Sequence, residues 1–277
     1  MAKGIGLIGN FKGKVGNMVG YKLSDSNTGN TQGIRVYQPI VKNPKTSAQA
    51  EQRAKLAPIN ATYRALKMVI DRGNEGLPYG NKSRLAWLKQ AFKAANMPWY
   101  VKGAICSCPV LCQLTKGSLN GLSYSVGGEF ASIDCSSATT ESSTSTYGAI
   151  STLLKGAYPS LKDGDQVTIV LVDAQTTGQD VTVISFIIDP TSTEAQTLIE
   201  AGVNVLNMDV FSGVGAMAVI VSREGTNGEH LRSTASLVGD PTAIAAAPYN
   251  AASKTAAIES YMSSASANAD WAEESIQ

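Results

Sequence analysis

Gln166-Val167-Thr168-Ile169-Val170-Leu171-Val172 is dense in β-branched side chains and flanked by turn residues, the composition of a strand. Further along, Val181-Thr182-Val183-Ile184-Ser185-Phe186-Ile187-Ile188 and Ala216-Met217-Ala218-Val219-Ile220-Val221-Ser222 have the same texture. Residues 118–126 and 231–237 add two more candidate strands. Gly, Asp and Asn turns separate them, which predicts an antiparallel β-sandwich, jelly-roll-like in kind, from about residue 103 onward. One helix is expected to interrupt the strands: Thr191 caps it, Glu194 completes a capping box, and Gly202 ends it. Residues 136–146, rich in Ser and Thr, read as an exposed loop. The Ala-rich stretch 242–266, with Ile258, Tyr261 and Met262 at helical spacing, predicts a C-terminal helix before a peripheral acidic tail at 270–277.

Upstream, eight glycines punctuate residues 1–42. The extended pieces 17–23 and 34–38 flank Asp25-Ser26-Asn27-Thr28-Gly29-Asn30, so residues 17–41 read as a β-hairpin. A phosphate loop is a poor fit, because Gly13-Lys14 is followed by Val15 and no buried strand precedes it. Thr46 and Gln49 form a capping box for a helix whose apolar face carries Leu56, Ile59, Tyr63, Leu66 and Ile70. Pro58 should bend or break that helix. Gly73 and Gly76 end it, and Asn81 caps a second helix over about 82–95, with Leu85, Leu88 and Phe92 as its buried stripe. The fold class is therefore α+β: a basic N-terminal arm, hairpin and helix pair over 1–102, then an acidic sandwich domain with a C-terminal helix over 103–277.

Charge is strongly segregated. Residues 1–102 hold 17 Lys and Arg against four acids, whereas the remaining 175 residues hold six against 18. The net charge of +1 conceals this division. A basic segment attracts phosphate and releases counterions without reading bases. The bland alternative is that the basic and acidic parts attract each other, within or between subunits. Lys82, Lys89 and Lys93 lie on one stripe of the second helix, either a solvated face or a phosphate-facing ridge. With Lys3, Lys12, Lys14, Lys22 and Arg35 they are the candidate nucleic-acid contacts.

Signals for catalysis are weak. Cys106, Cys108, Cys112 and Cys135 lack the paired spacing of zinc sites, and reduced cysteine in a strand behaves as a small hydrophobe. The single histidine, His230, sits in a hairpin-like turn and reads as a surface residue. Asp163, Asp165, Asp173, Asp180 and Asp189 occupy turn contexts, and Asp163-Gly164-Asp165 lacks the remaining ligands of a calcium loop. No enzyme, cofactor or metal is expected. No apolar run approaches membrane-spanning length, and the N-terminus lacks the apolar core of a signal peptide. Synthesis in a host cytoplasm is the expectation.

The segment Arg35-Val36-Tyr37-Gln38-Pro39 through Arg53, centred on N-P-K-T-x-x-Q-x-x-x-R, resembles an uncharacterised family met in Bacteroidota genomes and their phages. The resemblance covers about residues 4–95, including Gly80-Asn81-Lys82-Ser83-Arg84. It implies a virion or mobile-element protein and carries no activity to transfer. Three functions are weighed. The first is a self-assembling capsid or shell subunit, located in the virion, whose basic region lines the packaged nucleic acid. The second is a non-shell packaging or nucleic-acid-binding accessory, with Tyr21, Tyr37 and Trp87 available for stacking. The third is a tail-associated or adhesin-type sandwich.

Overall fold

A computed structural model describes residues 13–23, 31–37, 46–127, 130–135, 146–202, 205–209, 215–226 and 228–263. The chain divides into two compact units, Met1–Pro44 and Lys45–Gln277. The predicted helix pair thus belongs with the β-rich body, whereas the sequence reading placed the division at residue 102.

In the first unit, β1 (Gly13–Val15), β2 (Met18–Leu23) and β3 (Thr31–Val36) form an antiparallel sheet in sequence order. Gly16, at φ +56, permits the tight turn from β1 into β2. The expected hairpin is β2 paired with β3, from Met18 opposite Val36 to Leu23 opposite Thr31, and β1 adds a strand to it. The turn chemistry at 25–30 lies outside the described residues.

The second unit opens with α1 (Ser47–Ala65), α2 (Lys67–Ile70) and α3 (Asn81–Ala91). Thr46 caps α1, its hydroxyl accepting from the Gln49 N–H at 3.4 Å. The reciprocal arm of the predicted box is not made, since Gln49 Oε1 is buried without a partner. α1 runs unbroken through Pro58, and the break falls at Leu66 instead. Its buried face holds Ala50, Ala54, Pro58, Ile59 and Thr62, while Leu56 is exposed.

Then follow β4 (Gln113–Thr115), β5 (Tyr124–Gly127), β6 (Phe130–Asp134), α4 (Tyr147–Ala157), β7 (Gln166–Gln175) and β8 (Gly178–Ile187). β9 (Glu200–Gly202), β10 (Val205–Asp209), β11 (Ala216–Glu224), β12 (His230–Arg232), β13 (Ala235–Ser236) and β14 (Val238–Gly239) complete the strands. α5 (Pro241–Ala245) and α6 (Ala251–Ser263) close the described chain. The predicted C-terminal helix is therefore two pieces, the first ending before Pro248, which cannot continue a helical ladder.

The central sheet has the order β12-β11-β7-β8, with β14 also paired to β11. Its apolar runs are buried on both faces. Val167, Ile169, Leu171, Met217, Val219 and Val221 enter one core, whereas Val170, Val172, Ala216, Ala218 and Ile220 enter the other. This alternation explains why β7 and β11 read as continuous hydrophobic stretches. At roughly 1.5–3 kcal/mol per fully buried large side chain, it makes them the anchor of the fold. The first core is shared with Ile133, Leu206 and Met208 of the second sheet, β5-β6-β10-β9, and with Ile150 and Leu154 of α4. The second is shared with Ile59, Leu66, Trp87 and Ala91 of the helices. The described sheets are antiparallel and open. None closes or curls on itself among the described residues.

The helix expected at 191–202 is absent, and β9 ends that stretch. Asp189 accepts from both the N–H and the hydroxyl of Thr191, at 2.9 and 2.7 Å, so the hydroxyl is diverted from capping. Gln196 Oε1 likewise accepts from the N–H groups of Leu198 and Ile199. α4, for which no helix was predicted, starts at Thr146, whose hydroxyl accepts from the Ala149 N–H at 3.3 Å. The loop at 136–145 lies outside the described residues, as does the acidic tail.

Asp165 is the charged anchor of the central sheet, 1% exposed. It accepts from Arg223 Nε and Nη2, both at 2.6 Å, and from the Lys162 N–H at 2.8 Å. Burial raises its carboxyl pKa, but Arg223 and the Lys162 N–H outweigh burial and hold it below the ordinary value. Its contribution is thus complete above the unfolded aspartate pKa near ~3.9 and is lost as pH falls through the lower folded value. Asp165→Ala should cost about 3 kcal/mol at neutral pH. In urea titrations the gap from wild type should narrow below pH ~4, and a constant gap would refute the linkage.

Candidate nucleic-acid interface

α3 begins at Asn81, with Gly80 (φ +85) as its cap rather than Asn81 itself. Ser83 fixes the helix start: its hydroxyl donates to the Ile70 carbonyl at 2.8 Å and accepts from Asn74 Nδ2 at 3.0 Å. The buried stripe is Ser83, Trp87 and Ala91. Leu88 and Phe92 are half-buried beside it, and Leu85, expected inside, is 51% exposed. Trp87 Nε1 meets no oxygen or nitrogen acceptor and faces the Cys112 sulfur.

This packing turns Lys82, Lys89 and Lys93 outward, and all three are exposed. Lys89 and Lys93 line a cleft of about 630 Å³ with Gln90, Gln113, Lys116 and Ser118. Lys82 does not line it. Two close backbone approaches set the cleft-lining Leu114 and Gly117 against Gly73 and Arg232. A Cβ on Gly73 would stand 2.6 Å from the Leu114 carbonyl oxygen, and one on Gly117 would stand 2.1 Å from that of Arg232. Only glycine lets segments so distant in sequence run against each other. Glu75 then staples them, accepting from the Ser118 N–H at 2.9 Å, the Ser118 hydroxyl and the Arg232 N–H at 3.2 Å. Those bonds, the Ser118 N–H foremost, hold its carboxyl below the usual range.

Among the described residues, no carboxylate lies within 4.0 Å of the ammonium of Lys82, Lys89, Lys93 or Lys116. By contrast, Glu51 pairs with Lys55 and Lys254 at 3.0 and 3.2 Å, tying α1 to α6.

The other predicted contacts lie in the first unit. Lys14 is exposed, with Nζ 3.6 Å from the Tyr37 ring centroid. In the strand register Lys14 pairs with Val19, which pairs with Arg35, while Lys22 pairs with Gln32 in a separate row. Lys3 and Lys12 lie outside the described residues. Of the residues expected to stack, Tyr37 is 37% exposed, but Trp87 is 2% exposed and belongs to the core. Sequence reading missed Lys116, because nothing in its local sequence marks it.

All four cysteines are free thiols. Cys106, Cys108 and Cys112 lie in irregular chain rather than the expected strand. Burial pushes Cys112 up to about 12 and Cys135 up to about 11, which leaves both unreactive. His230 opens β12 and is exposed. Among the described residues, no three His, Cys, Asp or Glu side chains group to hold a metal, and no helix is long and apolar enough to cross a membrane. In comparison with known proteins, no family model, curated protein or solved structure matches the chain.

Proposed function

We propose that this chain is a self-assembling structural protein of a phage particle, a shell subunit whose basic N-terminal region contacts packaged nucleic acid. The observation that carries the reading is the set of exposed lysines on α3 and at Lys116 that pair with no carboxylate among the described residues. Had charge segregation served only internal attraction, these lysines would meet the acids of the β-rich body. Among the described residues they meet none, which favours a counter-charge from a partner, and phosphate is the anion a particle would supply in quantity. A jelly-roll arrangement of the sandwich remains part of this proposal.

Self-assembly is supported by β8, an edge strand with no strand partner on its outer side among the described residues. The non-shell accessory reading rests on the same lysines but loses Trp87 as a stacking platform. The tail or adhesin reading makes no use of them.

The protein expressed alone should be followed by light scattering, negative-stain microscopy and its 260/280 absorbance ratio. Closed, uniform particles carrying nucleic acid are expected. A small species that takes up oligonucleotide would replace the shell with the accessory reading. A small species that binds none at low salt would leave the docking sandwich.

A further inference from the structure

Beside the lysine cleft, and sharing its Asn74–Leu77 wall, lies a second cleft of about 500 Å³ lined by Tyr79, Glu229, His230 and Arg232. Tyr79 is 55% exposed, its ring 6.3 Å from that of His230, with the Arg72 guanidinium 5.6 Å from its centroid. Arg232 is half-buried, and among the described residues neither it nor Arg72 has a carboxylate within ion-pair distance. The acids at hand do not fill that role: Glu75 is engaged by Ser118 and the Arg232 backbone, and Glu229 is exposed on the rim. Burial lowers the Arg232 pKa and the Arg72 charge lowers it further, while the Tyr79 phenol opposes both. A desolvated guanidinium set against a second cation, with no carboxylate pairing it among the described residues, is an arrangement that an anion completes.

We infer that Arg72 and Arg232, with Tyr79 and His230 beside them, form an anion seat for phosphate, continuous with the Lys89–Lys93–Lys116 cleft. Its ligand is a phosphodiester of the nucleic acid, and this rests on the proposed nucleic-acid contact. The arginines would supply forked donors to the phosphate oxygens, where lysine offers only a point charge. The track of lysines would carry the neighbouring phosphates.

His230, the sole histidine, is a built-in reporter. Its modification by diethylpyrocarbonate is read at 240 nm on the whole protein, assembled or not. Binding of a labelled 20-mer of deoxythymidylate is followed in parallel by fluorescence anisotropy. With the oligonucleotide at ten times its Kd, His230 should react about tenfold more slowly. Arg72→Ser, at an exposed position, should abolish that protection while the fold, followed by circular dichroism, is unchanged. Inorganic phosphate at matched phosphorus concentration is the second arm. Protection by the oligonucleotide alone supports a polynucleotide seat, and equal protection by both supports the seat with free phosphate as its source. Bound oligonucleotide with His230 reacting at the free rate, or protection that survives Arg72→Ser, overturns the seat and leaves the nucleic-acid reading standing. No binding in the anisotropy arm overturns both.

Discussion

The triple charge reversal Lys89→Glu, Lys93→Glu and Lys116→Glu should weaken nucleic-acid binding by at least about 100-fold at 50 mM salt. Each lysine that meets a phosphate releases counterions, so the log–log salt slope should also flatten by about 2–3. Stability should barely move: the three side chains are exposed and unpaired among the described residues, and such positions are usually within about 0.5 kcal/mol of neutral. Lys55→Glu is the matched control, because Lys55 already pairs with Glu51 at 3.0 Å. It should perturb α1 while leaving the salt slope near the wild-type value. Filter binding or anisotropy across a salt series makes the measurement. An unchanged slope in the triple variant would mean that these lysines are a solvated face and that phosphate is held elsewhere.

How far the sequence anticipates this picture depends on how local each determinant is. β7, β8 and β11 were legible because β-branched runs are written continuously in the chain. Their sharing between two cores was not, since burial on both faces depends on what packs above and below. The α3 stripe was misphased: Leu85, Leu88 and Phe92 match helical spacing, but tertiary packing selects Ser83, Trp87 and Ala91. The false helix at 191–202 had the right capping letters, yet Asp189 reached Thr191 first. α4 went unseen behind a Ser/Thr-rich lead-in. Charge reading nominates Lys89 and Lys93 as candidates, whereas Lys116, Arg72 and Arg232 come near them only through the approaches at Gly73 and Gly117. Glu75 and Arg232, 157 residues apart, illustrate why such a site stays hidden. No local signal encodes that meeting.

Val183→Lys with Ile187→Lys should dissolve the assembly into 29.0 kDa subunits. β8 pairs with β7 over ten residues, from Gln166 opposite Ile187 to Gln175 opposite Gly178, and its other edge has no strand partner among the described residues. Protected edges usually carry lysine, proline or a bulge, because open N–H and C=O groups template strand addition. β8 has none of these. Asp180 is its only charge, and it turns back to accept from the Val181 N–H at 3.0 Å. Val183 and Ile187 stand 51% and 59% exposed, although Ile184 and Phe186 between them are buried. An edge so long, apolar beyond Asp180, fits a strand of a second copy, since an antiparallel pairing centred on Val183 and Ile184 would lay no like charge against Asp180. Two lysines would make that pairing bury ammonium groups, while the exposed positions let the isolated subunit tolerate them. Val183→Thr keeps the β-branched shape and should still assemble. Light scattering distinguishes the outcomes, with far-UV circular dichroism to verify the fold. Double-lysine protein that assembles like wild type would move the subunit contact away from β8.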